Sequence, residues 1–287
     1  MKYIDIHTHG GFGVNFNNCS KDDILNFAQL AEKRNIVGFL PTLATDEIKK
    51  ITNQIEKIIE AKDEQKNGAK IIGIHLEACF LNPEKSGIHK KEYFLEPNVE
   101  NWEKIFKKYE KDIKIVTLAP ELDENNKLQK YLISKGIKVQ AGHTMAEDAG
   151  LCDGITHMFN AMPPLSHKKD NITSQALVDN NIFVEFIGDL IHTTKNMAKL
   201  LFGIKDKSKI MLVSDSLPIA HSGLDEIEFC NHKVFKNGKG EGGELAGSVK
   251  FLDEIAQNLI NKKIITEADA DKMCYENQLK YLDLKGI

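Results

Sequence analysis

Two histidines stand one residue apart near the start of the chain, in the segment IDIHTHGG at residues 4–11. Side chains two positions apart on a β-strand point to the same face, so His7 and His9 are predicted to project side by side. The glycine pair that follows ends the strand and permits a tight turn. Two imidazoles at a strand end suit a divalent metal, although two solvated histidines would give the same short pattern.

Eight short apolar, β-branched runs recur along the chain, separated by segments with helical periodicity. Near-continuous apolarity is typical of parallel strands buried on both faces. Eight such strands alternating with helices predict an α/β fold, a (β/α)8 TIM-type barrel. A doubly wound open sheet is the alternative, but the glycines after the first run match a dinucleotide-binding turn poorly. The predicted strands are residues 3–7, 36–43, 70–76, 113–118, 137–141, 154–159, 182–187 and 209–213.

Imidazole and carboxylate side chains concentrate at the carboxyl ends of these predicted strands, where the active sites of barrels lie. Such side chains are the ligands of catalytic divalent metals, and the pattern therefore predicts a metal site. His75 and Glu77 share one strand face, so from the residues alone either could be a ligand. The set comprises His7, His9, His75, Glu77, His143, His157 and Asp215.

The composition excludes several other classes of protein. The chain has 287 residues, 41% of them hydrophobic and 28% charged, with a net charge of −4 and a single arginine, Arg34. This balance, without a basic stripe, argues against nucleic-acid binding. Five dispersed cysteines without a CxxC pair indicate a reducing compartment. Neither a secretory signal nor a run long enough to span a membrane is recognisable, so a cytoplasmic location is expected.

Seven segments resemble the amidohydrolase superfamily and, within it, the N-acetylglucosamine-6-phosphate deacetylase family. They occur in the order found in that family and extend over nearly the whole chain. The segments THMFNAM and APE are similar to the deacetylases in particular. The seven are IDIHTHGG (4–11), GIHLE (73–77), VTLAPE (116–121), AGHT (141–144), THMFNAM (156–162), VSD (213–215) and LAGS (245–248).

The resemblance implies a ligand set for the metal. Glu77, His143 and His157 would hold the ion that activates water, and His7 and His9 would hold a second ion in members that bind two. The implied cofactor is therefore one or two divalent ions, Zn²⁺ first, with Fe, Mn or another metal as alternatives. His75 is then expected to be a buried, hydrogen-bonded histidine.

The resemblance also implies roles around the substrate. Asp215 would be the general acid and base, and His89 would contact the substrate near the scissile amide. The backbone of Asn160 and Ala161 would hold the sugar phosphate, and His192 would bind substrate after the seventh strand. The partner is therefore a small-molecule amino-sugar phosphate, and the resemblance suggests a homodimer.

Three departures from the family pattern shape the remaining expectations. Family members usually carry a small β-sandwich built around both ends of the barrel sequence; here the first strand begins at residue 3, so residues 1–287 are expected to form a single barrel without that domain. The family's phosphate-binding arginine is replaced by the segment SHKK at 166–169, which makes Lys168 the candidate cation. Only 14 residues separate His143 from His157, which predicts a short fifth helix.

The predicted reaction is metal-assisted removal of the acetyl group from N-acetylglucosamine 6-phosphate, giving glucosamine 6-phosphate and acetate. One alternative keeps the fold but changes the substrate to another N-acyl compound or a cyclic amide. A second alternative is a non-catalytic barrel that binds sugar phosphates. Residues 220–247, rich in glycine, are expected to form either a flexible surface hairpin or a lid over the site.

Overall fold

The apolar runs of the sequence form the parallel strands of a nearly closed barrel in the computed structural model, which describes residues 1–287. Each strand pairs with the next one along the chain, so the predicted fold class is confirmed. The predicted third strand is divided in two: Lys70–Ile71 pairs with Gly38 and Phe39, and Ile74–Glu77 continues the barrel. The sixth strand is shorter than expected, because the chain leaves the sheet directly before His157. The barrel strands are β1 (Tyr3–Thr8), β2 (Ile36–Ala44), β3 (Ile74–Glu77), β4 (Ile113–Leu118), β5 (Lys138–Ala141), β6 (Gly154–Ile155), β7 (Phe183–Ile187) and β8 (Ile210–Val213).

The last strand and the first form no regular ladder, but isolated hydrogen bonds join them near their carboxyl ends. The backbone N–H of Asp215 donates to the carbonyl of His7 at 2.9 Å, and the N–H of His9 donates to the carbonyl of Ser216 at 2.8 Å. These two bonds hold the ends of β1 and β8 together. They therefore place the His-x-His segment beside Asp215, 208 residues apart by the numbering of the chain.

Amphipathic helices cover the outside of the barrel. Ser20 begins the first of them with a capping box, in which its hydroxyl accepts from the N–H of Asp23 and the Asp23 carboxylate accepts from the N–H of Ser20. No helix combines the length and apolarity needed to cross a membrane. The helices are α1 (Lys21–Glu32), α2 (Ile48–Glu64), α3 (Val99–Ile105), α4 (Lys127–Ser134), α5 (Ile172–Val178), α6 (Lys195–Ile204), α7 (Leu252–Asn261), α8 (Glu267–Asp271) and α9 (Asn277–Tyr281), with a π-helical turn at Lys272–Glu276.

The connection between β5 and β6 contains no helix, so the expected short fifth helix is wrong. Side chains of neighbouring helices satisfy its backbone instead. The N–H of Leu151 donates to the side chain of Gln129 at 2.8 Å, and the N–H of Ala149 donates to that of Gln175 at 2.9 Å. A loop held in this way crosses the short span without needing helical hydrogen bonds.

The glycine-rich segment after β8 forms an antiparallel hairpin, which we name the flap hairpin: Glu226–Phe229 paired with His232–Phe235. Phe229 on this hairpin is buried against the ring of His9, with the two ring centroids 5.1 Å apart. Two further short strands, Gly10–Gly11 and Val14–Asn15, pair directly after β1. Both hairpins lie at the carboxyl end of the barrel. The opposite end is closed by α9, where the buried Tyr281 donates to Asp153 at 3.0 Å.

Candidate metal centre

A pocket of about 290 Å³ opens at the carboxyl ends of the strands. Nine of the eleven residues predicted for the site line it, and His7 lies beneath it, fully buried. The strand ends thus bring together side chains that are far apart in the sequence, as the barrel topology requires. The nine are His9, Glu77, His89, His143, His157, Asn160, Ala161, His192 and Asp215.

Glu77, at the end of β3, lies between two pairs of histidines. Its Oε1 is 3.2 Å from the Nε2 of His143 and 3.0 Å from the Nε2 of His157. Its Oε2 is 3.4 Å from the Nε2 of His7 and 3.2 Å from the Nε2 of His9. All four imidazoles therefore direct the same ring nitrogen at one carboxylate, each oxygen of which faces one pair.

Asp215 completes the side of the site occupied by the His-x-His segment. Its Oδ1 lies 3.5 Å from the Nε2 of His7 and 3.3 Å from the Nε2 of His9. Burial raises the pKa of the Asp215 carboxyl, but His7 and His9 more than offset this and hold it below its usual value. Asp215 is thus an ionised carboxylate within reach of both nitrogens.

The outer ring nitrogens show which nitrogen is free to bind a metal. The Nδ1 of His9 is 3.2 Å from the carbonyl of Thr42, and the Nδ1 of His143 is 2.7 Å from the carbonyl of Lys85. A carbonyl oxygen only accepts, so each Nδ1 carries a proton and each Nε2 is available as a ligand. The Nδ1 of His7 is likewise 2.8 Å from a carboxylate oxygen of Glu185.

Two observations test whether these residues fit a divalent metal. The Nε2 atoms of His143 and His157 lie 3.0 Å apart, a distance at which two lone pairs repel unless a proton or a cation lies between them. The Nε2 of His7 is buried and makes no hydrogen bond. Inward-facing imidazole nitrogens around carboxylate oxygens are a donor set that Zn²⁺ and similar ions accept. The residues therefore fit a metal centre of one ion or two.

Acidic neighbours perturb the titration of the His-x-His pair. Burial lowers the pKa of His7, but Glu77, Glu185 and Asp215 outweigh it and raise the pKa well above its usual value. His9 follows the same balance, with Asp215 and Glu77 raising its pKa against the effect of burial. These imidazoles carry protons when no metal is bound, and a metal must displace those protons.

His89 differs from the four other histidines around Glu77. The backbone N–H of Thr45 donates to its Nδ1 at 3.1 Å, so the ring proton is on Nε2. Burial, reinforced by the nearby His143, lowers the pKa of His89 to about 3, and the ring is therefore neutral. Its Nε2 lies 3.7 Å from an oxygen of Glu77. His89 thus presents a hydrogen-bond donor to the pocket, whereas a metal ligand would present a lone pair.

The residues predicted to contact the sugar phosphate lie around the pocket, with one exception. His192 is held by Asp189, whose carboxylate is 2.8 Å from its Nδ1; burial lowers the pKa of His192, but this carboxylate raises it above the usual value. Asn160 and Ala161 line the same pocket. Lys168 does not: it is exposed and is not among the lining residues. The structure therefore does not bring Lys168 to the site.

Sequence reasoning missed a cation that does line the pocket. Lys85, in the segment between β3 and His89, is the one lysine or arginine among the lining residues. The available signal was its position four residues before His89, a residue that the family resemblance had singled out.

Two acidic residues near the site, Glu121 and Glu185, were not predicted to have a role. Glu121, after β4, accepts hydrogen bonds from the Thr144 hydroxyl, the Met145 N–H and the Asn82 side chain, at 2.5 to 2.7 Å. These contacts hold the segment directly after His143. The sequence marked Glu121 only as part of the APE segment. Glu185 carries no motif at all and was not singled out.

Three residues of the site have an unusual backbone conformation. His143, His157 and Asp215 have φ values of 48°, 32° and 50°, in the left-handed region that non-glycine residues rarely adopt.

His75 lies in the barrel interior, below the pocket. It is fully buried and, as expected, hydrogen-bonded through both ring nitrogens: Nδ1 donates to the carbonyl of Ile6 at 2.9 Å, and Nε2 accepts from Thr117 at 2.8 Å. His75 is thus a structural residue of the barrel interior.

Comparison with known proteins agrees with this geometry. The N-acetylglucosamine-6-phosphate deacetylase of Bacillus subtilis is 32% identical, in an alignment that covers 99% of this chain and 76% of the relative. The N-acetylgalactosamine-6-phosphate deacetylase of Escherichia coli O157:H7 is 26% identical, covering 99% of this chain and 78% of the relative. No protein-family model matches the chain.

Solved structures show the same barrel. The N-acetylglucosamine-6-phosphate deacetylase of Pasteurella multocida superposes with a TM-score of 0.88 at 25% identity, covering 100% of this chain and 78% of that structure. The corresponding enzyme of Thermotoga maritima superposes with a TM-score of 0.86 at 26% identity, covering 98% and 78%. With the sequence identity to the Bacillus relative, this agreement shows that the chain belongs to the N-acetylglucosamine-6-phosphate deacetylase family of metal-dependent amidohydrolases.

Proposed function

We propose that this protein hydrolyses the acetamide bond of an N-acetylated amino-sugar phosphate, N-acetylglucosamine 6-phosphate first, and releases acetate and the free amino-sugar phosphate. The observation that carries the proposal is Glu77 set between two pairs of imidazoles, with Asp215 beside one pair, inside an open pocket. The activity named for the Bacillus relative supports the same reaction.

The proposed cofactor is Zn²⁺, held by His143, His157 and Glu77, with His7 and His9 available for a second ion. A divalent cation there would acidify a water molecule, lowering its pKa from ~15.7 to about 7, and would polarise the amide carbonyl. Imidazole nitrogens suit Zn²⁺ and Fe²⁺, whereas Mn²⁺ prefers oxygen ligands, so the donor set supports zinc or iron over manganese.

Asp215 is the proposed carrier of the proton. Its carboxylate is ionised and lies at the pocket wall, so it can accept a proton from water as the water oxygen attacks the acetyl carbon. When the C–N bond breaks, the same proton passes to the departing nitrogen, which leaves as a neutral amine. The water thus supplies the new C–O bond of acetate and the proton of the amine.

His89 is proposed to stabilise the negative charge that develops on the acetyl oxygen. Its Nδ1 is occupied by the N–H of Thr45, and its Nε2–H faces the pocket within 3.7 Å of Glu77. A fixed, neutral donor of this kind needs no reorganisation during the reaction.

The phosphate is proposed to bind near Lys85 and His192. Both line the pocket, and Asp189 favours the protonated, cationic form of His192. The backbone of Asn160 and Ala161 is proposed to contribute further contacts at the same wall. We favour Lys85 over Lys168 as the cation, because Lys168 lies on the exposed surface outside the pocket.

The decisive experiment loads the purified protein with Zn²⁺, adds N-acetylglucosamine 6-phosphate and follows release of primary amine. N-acetylgalactosamine 6-phosphate tests which sugar is accepted, because one relative is named for that compound. Unphosphorylated N-acetylglucosamine tests whether the phosphate is required. We expect Asp215→Asn to lower turnover by ~10²-fold or more and to leave the zinc content unchanged. Absence of turnover on all three compounds, in protein shown to contain zinc, would refute the proposed reaction.

A further inference from the structure

Glu185 is a fully buried carboxylate at the centre of β7, between the buried apolar residues Phe183 and Ile187 of the same strand face. Its Oε1 has no hydrogen-bond partner. A buried carboxylate is costly for folding unless it is fully paired, and an apolar residue at this position would avoid that cost. The presence of Glu185 therefore indicates a role other than stabilising the barrel.

The second oxygen of Glu185 contacts both halves of the metal centre. Its Oε2 accepts from the Nδ1 of His7 at 2.8 Å and from the backbone N–H of His157 at 3.3 Å. His7 faces one oxygen of Glu77 and His157 faces the other. One atom of Glu185 thus restrains two proposed ligands that come from different strands.

We propose that Glu185 is a positioning residue of the metal centre. It keeps the proton of His7 on Nδ1, so that the buried Nε2 of His7 is free to bind an ion, and it restrains the backbone of His157. A carboxylate that accepts from the outer nitrogen of a ligating imidazole orients the ring and strengthens it as a donor. His9 and His143 have only a neutral carbonyl in this place. The inference rests on the proposed metal-dependent function.

An alternative is that Glu185 itself binds an ion together with His7 and His75, but the contacts of His75 argue against this. The ligand atoms of His7, His75 and Glu185 lie close enough together to hold an ion between them. Both ring nitrogens of His75 are already engaged, however, one with Ile6 and the other with Thr117. Glu185 therefore serves His7, and no separate ion site is formed in the barrel interior.

The test measures zinc affinity by competition with a chelator in the wild type, Glu185→Gln and Glu185→Leu. Removal of the acceptor in Glu185→Leu should weaken binding of the ion that His7 contacts by about 10- to 100-fold, the range typical of such outer partners. Glu185→Gln keeps an oxygen that can accept from His7 and should lose less affinity. Glu185→Gln also preserves the shape of the side chain, so the comparison holds even if Glu185→Leu folds poorly.

A second readout follows the proton itself. In the zinc-loaded protein, long-range proton–nitrogen NMR should show a slowly exchanging Nδ1–H of His7, assigned by its absence in His7→Gln. The signal should persist in Glu185→Gln and broaden or vanish in Glu185→Leu. A merely structural role for Glu185 would not alter this one imidazole proton selectively.

Two controls separate positioning from general stability. Asp153→Asn removes a carboxylate that is bonded to Tyr281 at the opposite end of the barrel, and it should leave zinc affinity unchanged even if it lowers the melting temperature. In a His7→Gln background, Glu185→Leu should weaken zinc binding by less than it does in the wild type, because the contribution made through His7 is already absent and only the contact with the His157 backbone remains.

Unchanged zinc affinity and an unchanged His7 signal in Glu185→Leu would overturn the inference, as would an equal loss of affinity in Asp153→Asn. These outcomes are distinct from failure of the proposed function. If the wild type binds zinc and turns over substrate but the Glu185 variants behave like it, only the positioning role falls. If the wild type itself does not bind zinc, the proposed metal function falls as well.

Discussion

At the scale of single residues, the site is organised by where each histidine carries its proton. His9 and His143 donate through Nδ1 to backbone carbonyls, which leaves Nε2 free, whereas His89 accepts at Nδ1 from the N–H of Thr45. Proximity to Glu77 alone does not separate these residues, because Glu77, His89 and His143 are close enough to form one ligand group. The hydrogen bond at the outer nitrogen supports the proposal that His143 binds the metal and His89 the substrate.

This distinction predicts opposite outcomes for two alanine variants. His89→Ala should retain zinc affinity within about threefold but lower kcat by ~10²–10³-fold, the effect of removing one donor to a developing oxyanion. His143→Ala should lose zinc at the same chelator concentration, because it removes a ligand. Metal analysis after dialysis and steady-state kinetics check both, and loss of zinc in His89→Ala would reassign that residue as a ligand.

The raised pKa values of His7 and His9 predict the pH dependence of zinc binding. Their neighbouring carboxylates keep the rings protonated above the usual range near 6.5, so protons compete with zinc at neutral pH. The affinity for the ion that His7 and His9 contact should therefore fall as the pH is lowered and still be rising above pH 7, by about tenfold per pH unit for each proton displaced. Chelator competition at several pH values measures this slope for each ion bound, and an affinity of that ion that is flat from about pH 6 to 8 would contradict the prediction.

At the scale of elements, the short hairpin after β1 holds the His-x-His segment in place. Gly10 has a φ of +137°, and a Cβ on this residue would lie 2.0 Å from the carbonyl oxygen of Val14 on the paired strand. The close approach of the two backbones therefore requires glycine here. The position of His9, one residue earlier, depends on this turn.

We predict that Gly10→Ala lowers the free energy of unfolding by about 3 kcal/mol or more, because overpacking adds to backbone strain. Gly136→Ala is the matched control: its φ is +74°, but nothing lies within 4 Å of the added Cβ. The control should cost only about 1 kcal/mol. Chemical denaturation of the metal-free proteins measures both, and equal losses would show that the contact with Val14 does not matter.

At the scale of the whole molecule, the candidate metal centre brings together residues from the first strand of the barrel to the last. The proposed ligands come from β1 and the residue directly after it, from β3, and from the segments that follow β5 and β6, and Asp215 follows β8. Such a site exists only when the barrel is assembled, so an ion that binds the folded state alone stabilises the entire fold.

Zinc should therefore raise the stability of the protein by about 2.7 kcal/mol at a free concentration 100 times its Kd. A chelator should lower the melting temperature by the corresponding amount, and readdition of zinc should restore it. Thermal unfolding followed by circular dichroism checks this, with His143→Ala as the variant that should respond weakly. A melting temperature that zinc leaves unchanged in the wild type would contradict a site assembled by folding.

The sequence by itself determined the barrel and the group of residues at its mouth. Apolar runs mark the strands, and the carboxyl ends of parallel strands must meet at one end of a barrel, so His7, Glu77 and Asp215 could be expected together from their positions alone. The family resemblance then distinguished Glu77 from His75. The absence of a helix between β5 and β6 was not predicted, because side chains of Gln129 and Gln175 replace its hydrogen bonds.

Only the tertiary structure decided how those residues differ from one another. The ring nitrogen that each histidine offers depends on its partner, and the partners are distant in sequence: His7 and Glu185 are 178 residues apart, and His143 and the carbonyl of Lys85 are 58 apart. The choice between Lys85 and Lys168 is likewise a matter of which loop faces the pocket. The local sequence pattern encodes the strands and their ends. Hydrogen bonds across the barrel determine the tautomer and charge of each histidine, and the path of the loops determines which lysine faces the pocket.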